Sequence, residues 1–290
     1  GALASFDIAS IPDTTAGVEF SAEVTALDQY GNIITGYSGA PSVTLVSGTA
    51  SAGPTGPSFS SGKSTLTGTI EVAGNYQINV TGAAPNQDIT ALSNTFTVTA
   101  ASPASMTLVA GDGQTGTVAT PLATDLKVKV SDAFSNPVPN QAVNWNAIDG
   151  FVGPLPSVTD ASGEATVTWT LGPVAGPQTA MASVPGDSTT TYTANFAATA
   201  NPGPPARVFL DNLTPTSVSA GGAFSVDAII TDAQGNAVLD SEVDGTLDLK
   251  VSLMDASGTA TEASLAGTTQ QSATTATTTF SGLSITEAGA

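Results

Sequence analysis

One phrase of this 290-residue chain is written three times, and no other feature of the sequence restricts its fold as much. "VTALDQYGNIITGY" (24–37) returns as "VKVSDAFSNPVPNQ" (128–141) and as "AIITDAQGNAVLDS" (228–241). The anchoring Asp28, Asp132 and Asp232 lie 104 and 100 residues apart. A chain that repeats itself at a fixed period folds one kind of unit over and over. An Asp carboxylate accepts backbone N–H groups two residues on, and Gly at the fourth place tolerates a positive φ. Asp28 with Gly31, Asp132, and Asp232 with Gly235 are therefore read as turn formers. Asp160 with Gly163 reads the same way, and Asp255 to Gly258 repeats that "DASG" wording.

Strict alternation surrounds these turns. "FSAEVTALD" sets Phe20, Val24 and Ala26 against Ser21, Glu23 and Thr25, and "LKVKVSD" sets Leu126, Val128 and Val130 against Lys127 and Lys129. "ATVTWTL" and "TLDLKVSL" continue the pattern. Side chains on a strand alternate between faces, so each stretch predicts a half-buried strand. No helical stripe is visible, and 30 Gly and 18 Pro punctuate the chain. A period near one hundred residues filled with short strands fits one β-sandwich per repeat. The expected fold is all-β, with tandem sandwiches at 1–100, 101–201 and 202–290. The second junction, "TANPGPPARVFL", carries Pro202, Pro204 and Pro205, which favour an extended, semi-rigid linker. The third copy reads as incomplete: Glu287-Ala288-Gly289 aligns with Val72-Ala73-Gly74, after which about two strands have no counterpart. Either the chain is a piece of a longer protein, or a neighbouring chain supplies a strand to the open edge.

Composition removes whole classes of function. Asp and Glu number 24 against 5 Lys and Arg, a net charge of −19 spread along the whole chain. Lys63, Lys127, Lys129, Arg207 and Lys250 are scattered, whereas a phosphate-binding surface needs clustered cations. Nucleic acid and anionic membrane surfaces are not expected partners. With no Cys and no His, disulfides, Cys/His zinc sites and catalysis by Ser-His-Asp or Cys-His are excluded. No apolar run approaches the ~20 residues of a membrane helix, so no membrane insertion is expected in this segment. Few charges with many Thr, Ser, Ala and Gly suit an extracellular β-rich chain.

The middle repeat carries "VSDAFSNPVPNQAVNW", then "VTDASGEATVTWTLG", then "AGPQTAMASVPG". Together these resemble the bacterial immunoglobulin-like (Ig-like) domains of the invasin and intimin adhesins, over most of residues 101–200. One departure is Ser135, where that family usually has Gly and a left-handed backbone strains any other residue. "TAGVEFSAEVTALDQYGN" and "SAGGAFSVDAIITDAQGN" are similar to a related variety of Ig-like repeat. The resemblance implies an extracellular or cell-surface, modular, non-catalytic role in adhesion, spacing or surface structure.

Other readings remain beside it. Asp240, Glu242 and Asp244, with Asp248 close by, form the densest acidic cluster. They are a candidate for weak calcium binding, which needs six to eight converging oxygens, against the plainer reading of a solvated loop. No carboxylate pair is marked as held in an apolar cleft, so glycoside hydrolysis is not expected and no cofactor is assigned. Trp145 and Trp169 share the inward parity of their strands and read as core. Tyr30 and Tyr37 flank a hairpin and are candidates for a glycan or protein contact. Asn79 and Asn212 stand in glycosylation-acceptor patterns. Three functions fit: a structural segment of a surface fibre, surface layer or adhesin stalk; a spacer or carbohydrate-binding module of a secreted polysaccharide-degrading enzyme; or a virion decoration domain. The expected partners are other copies of the chain, other surface proteins, or glycans.

Overall fold

The computed structural model describes residues 1–46, 58–187, 189–243, 245, 247–254, 257–259 and 264–285. Among them, strands and one short 3-10 turn make up the regular structure, and no helix is long and apolar enough to cross a membrane. The first sandwich contains β1 (Ser5–Ile8), β2 (Thr14–Thr15), β3 (Glu19–Leu27), β4 (Ser42–Leu45), β5 (Lys63–Thr69), β6 (Gly74–Tyr76), β7 (Ile78–Thr81), β8 (Thr90–Leu92) and β9 (Phe96–Thr99). One sheet runs β1-β3-β5; the other comes in two pieces, β2-β9-β6 and β4-β7-β8. The alternation of β3 buries Phe20, Ala22, Val24 and Ala26, which meet Leu66, Tyr76, Ile78, Val80, Phe96 and Val98 in one apolar cluster.

The middle sandwich is the fullest. It contains β10 (Ser105–Ala110), β11 (Gln114–Thr117), β12 (Leu126–Ser131), β13 (Ala142–Ala147), β14 (Phe151–Gly153), β15 (Ser157–Val158), β16 (Glu164–Thr170), β17 (Gly176–Pro185) and β18 (Thr191–Asn201). The sheet β10-β12-β16-β14 faces the sheet β11-β18-β17-β13-β15. Between them Trp169 is wholly buried and Trp145 stacks at a tilt on Phe196, ring centroids 5.8 Å apart. Full burial of a large apolar side chain is worth about 1.5–3 kcal/mol, so this core dominates the stability of the unit. In both sandwiches the first strand divides its pairing. β1 and β10 join one sheet antiparallel, then the chain crosses over and β2 and β11 join the other in parallel with β9 and β18. The crossover ends at a left-handed residue, Gly17 (φ 80°) or Ala119 (φ 58°).

The third sandwich contains β19 (Arg207–Thr214), β20 (Ala223–Thr231), the 3-10 turn Asp240–Glu242, β21 (Asp248–Lys250), β22 (Leu265–Ala266), β23 (Gln270–Ser272) and β24 (Thr277–Ile285). The sheet β19-β20-β24-β22 is well formed, while the opposing sheet consists, among the described residues, of β21 and β23. Its core is small: Val226, Ala228, Ile230, Phe280 and Leu283 gather with a few neighbours. All eight residues of β19 are exposed, Phe209 and Leu210 more than half so. The alignment of Glu287-Ala288-Gly289 with the first repeat falls outside the described residues, as do Asp244, Asp255 and Ala256.

Candidate functional site at the joints between sandwiches

The repeated Asp builds the same five-residue loop each time. Asp28 Oδ1 accepts the N–H groups of Tyr30 (2.9 Å) and Asn32 (3.0 Å), and the Gly31 N–H donates to the Asp28 carbonyl. Asp132 holds Phe134 and Asn136 at 2.9 and 2.8 Å, and Asp232 holds Gln234 and Asn236 at 2.9 and 2.8 Å. Asp160 holds Ser162 and Glu164 at 2.8 and 3.0 Å, so its loop has the same geometry inside the middle sandwich. The fourth residue is left-handed in every case: Gly31 at φ 78°, Ser135 at 68°, Gly163 at 74° and Gly235 at 96°. Ser135 therefore adopts the strained conformation that Gly would take freely.

What separates the three long copies from the Asp160 loop is the second carboxylate oxygen and the Asn at the fifth place. Asp132 Oδ2 accepts the N–H of Ala101, in the strand-to-strand linker, at 2.9 Å and the side-chain amide of Asn136 at 2.8 Å. The same amide reaches into the first sandwich. Its Nδ2 donates to the Glu71 carbonyl at 2.6 Å, and its Oδ1 accepts the N–H of Ala73 at 2.8 Å. The second junction repeats this atom for atom. Asp232 Oδ2 takes the Gly203 N–H (2.9 Å) and the Asn236 amide (2.8 Å). Asn236 in turn donates to the Pro173 carbonyl (2.8 Å) and accepts from the Ala175 N–H (2.9 Å) of the middle sandwich. Each joint is thus an Asn clasp on a turn of the preceding sandwich, held at its root by a buried Asp.

The clasped turns share a form as well. They read Glu71-Val72-Ala73-Gly74 and Pro173-Val174-Ala175-Gly176. The central Val carbonyl is braced from below in both, by the Tyr76 hydroxyl at 2.8 Å and by the Gln178 amide at 2.8 Å. At the first joint the Phe134 ring also lies over Gly17, where a Cβ would come within 2.5 Å of its Cζ. A cleft of about 770 Å³ opens beside this contact, lined by Val72, Val98, Asn136, Pro137 and Pro139 among others, with no ionisable side chain.

Electrostatics follow the hydrogen bonds. Burial pushes the Asp232 carboxyl up, but the donors from Asn236, Gly203 and Gln234 outweigh it and hold the group below its ordinary value. Backbone donors are the main cause that lowers Asp28 (Asn32, then Tyr30) and Asp160 (Glu164, then Ser162), helped by the Asn32 amide and the Gly1 ammonium at Asp28 and by Lys127 at Asp160.

The other candidates lie apart. Asp240 accepts the Ala276 N–H at 2.8 Å, Asp248 accepts the Ser272 hydroxyl at 2.6 Å, and Glu242 sits exposed in the 3-10 turn. No group of three or more acidic side chains among the described residues is placed to hold a metal ion. Tyr30 is 78 % exposed, but Tyr37 packs edge-on against Phe6 and Phe59, so the two tyrosines do not form a common stacking face. The sequence reading singled out the Asp of each loop and passed over Asn32, Asn136 and Asn236. The signal was present: Asn ends all three long copies, whereas Glu164 ends the internal loop.

Residues 109–197 match the model of the bacterial Ig-like domain, group 1. Among solved structures, the Escherichia coli adhesin FdeC is 19 % identical, with 98 % of this chain and 91 % of that one covered and a TM-score of 0.54. InvD of Yersinia pseudotuberculosis is 14 % identical, with 97 % and 85 % covered and a TM-score of 0.47. No curated protein matches the chain in sequence. The likeness to FdeC is one of fold. The chain is a tandem array of immunoglobulin-like sandwiches whose middle member is similar, over residues 109–197, to the bacterial Ig-like domain of group 1.

Proposed function

We propose that the chain is a non-catalytic structural segment of a bacterial surface protein, of the kind that forms adhesin stalks, fibres or surface layers. Its work is to hold what lies at one end at a set distance and direction from what lies at the other. The observation that carries this reading is the Asn clasp, present with the same donors and acceptors at both junctions. A linker that only tethers needs no such contact. Two hydrogen bonds per joint, each worth about 1 kcal/mol net, are enough to select one orientation when a short linker already holds the sandwiches together. The adhesin fold of FdeC supports an extracellular setting, as does a composition with few charges and many Thr, Ser, Ala and Gly.

The test is the distribution of distances between spin labels placed in adjoining sandwiches of the full chain, which has no cysteine of its own. Narrow distributions are expected for the parent chain. Asn136→Ala and Asn236→Ala should broaden the first and second joint respectively while leaving each sandwich folded. Broad distributions that neither substitution changes would remove the spacer role.

A further inference from the structure

The first sandwich carries the same Asp and Asn, yet among the described residues its Asn reaches no neighbouring sandwich. Asn32 is exposed, its Nδ2 rests at 3.3 and 3.4 Å from the Asp28 oxygens, and its Oδ1 has no partner among the described residues. Its two counterparts each grip a turn of a neighbouring sandwich. Two further groups at this pole, the Gly1 nitrogen and the Tyr30 side chain, occupy joint positions. Ala4, Ala104 and Ala206 all donate to the residue before their Asp, which makes Gly1 the counterpart of Ala101 and Gly203. The Gly1 nitrogen lies 4.0 Å from Asp28 Oδ2, the oxygen that takes the linker N–H at the other joints. Tyr30 stands 78 % exposed at the place of Phe134.

We propose that this pole is an unfilled joint, built to receive an x-Val-Ala-Gly turn from a further Ig-like sandwich joined in line ahead of Gly1. The proposal rests on the clasp reading above. The occupant must share the polypeptide: the clasp offers only a few hydrogen bonds and one ring contact, too little for a free partner but ample at the effective concentration a short linker provides. The occupant's type also follows. An aromatic side chain at this place lies over Gly17 at the first joint, where any Cβ would collide with it. The second joint has Gln234 at the aromatic's place and Ala119 at the glycine's. Tyr30 therefore calls for a sandwich with Gly at that crossover, such as the first sandwich itself, and not one with Ala.

The experiment adds a second copy of residues 1–100 ahead of the complete chain, so that Ala100 of the added copy precedes Gly1 as it naturally precedes Ala101. Cysteines for spin labels go at exposed Thr65 of both copies to read the new joint, and at Thr65 and Thr107 to read the natural one. The expected result is a new joint as narrow as the natural one, broadened to the width of a flexible linker by Asn32→Ala in the original first sandwich and unaffected by Asn136→Ala. Gly17→Ala in the added copy should also broaden it, and Tyr30→Gln in the original first sandwich should restore it. A broad new joint indifferent to Asn32→Ala, beside a narrow natural joint that Asn136→Ala loosens, overturns this proposal and leaves the proposed function standing. A natural joint that is itself broad and indifferent to Asn136→Ala overturns both.

Discussion

At the scale of single residues, one backbone angle and one carboxylate decide most of the behaviour of the loops. Ser135 sits left-handed at φ 68°, where a side chain costs about 1 kcal/mol or more and Gly costs only its extra chain entropy. Ser135→Gly should therefore leave the middle sandwich as stable or raise its stability by up to about 1 kcal/mol, read as a rise of a few degrees in its melting temperature. Three of the loop Asp residues respond to acid. Asp28, Asp160 and Asp232 are held below their ordinary value of 3.8, so the folded chain binds protons there less readily than the unfolded one. A group of that kind stabilises the fold above the unfolded value, and its contribution disappears as the pH falls through the lower, folded value. Melting temperature should stay level from neutral pH down to about 5 and decline below about 4, with Asp232→Asn showing a shallower decline than the parent chain. The Asp loops were legible in the sequence because their function is local: the donors lie two and four residues away. The Asn clasp was only half legible: the shared Asn marks the position, but its partners lie 61 to 65 residues away on another sandwich and nothing local tells what it grips.

Among the elements, alternation foretold which strands carry the core and which residues face it. Trp169, read as inward from its parity with Val167 and Leu171, is wholly buried and donates its indole N–H to the Asp149 carbonyl at 3.2 Å. Trp169→Ala should cost about 3–5 kcal/mol and unfold the middle sandwich selectively in denaturant titrations followed by circular dichroism. Apolar content misleads at an edge strand that no layer covers among the described residues. β19 reads "RVFLDNLT", as apolar as a core strand, yet Val208, Phe209, Leu210 and Leu213 are all substantially exposed. Exposed apolar edge strands are sticky. The chain should bind a hydrophobic dye, and Leu210→Lys should reduce that fluorescence without lowering the melting temperature. Tyr37 shows the opposite surprise. Its place beside a hairpin suggested a surface contact, but the nearby Phe6 and Phe59 gave it an aromatic nest to fill.

For the whole molecule, charge and joints act together. With −19 charges and ion pairs such as Lys63–Glu23 and Lys127–Glu164 lying near the surface, like-charge repulsion is the main long-range force along the array. Screening shortens its reach from about 30 Å at 0.01 M salt to about 3 Å at 1 M. Raising the salt should thus raise the melting temperature while leaving label-to-label distances across intact joints unchanged, since these are set by the Asn clasps. In chains carrying both Asn136→Ala and Asn236→Ala the same distances should shorten with salt. The clasp has one more consequence. It touches only main-chain atoms of its neighbour, and Glu71 and Pro173 serve it equally well despite having nothing chemically in common. A clasp that ignores side-chain identity confines the demand on whatever stands next in line to one place, the crossover residue that the ring of Phe134 covers at Gly17. Genes for such repeats can be lengthened, shortened or reordered by recombination, and every new neighbour pair inherits the hydrogen-bonded clasp, needing a matched residue only at that one crossover.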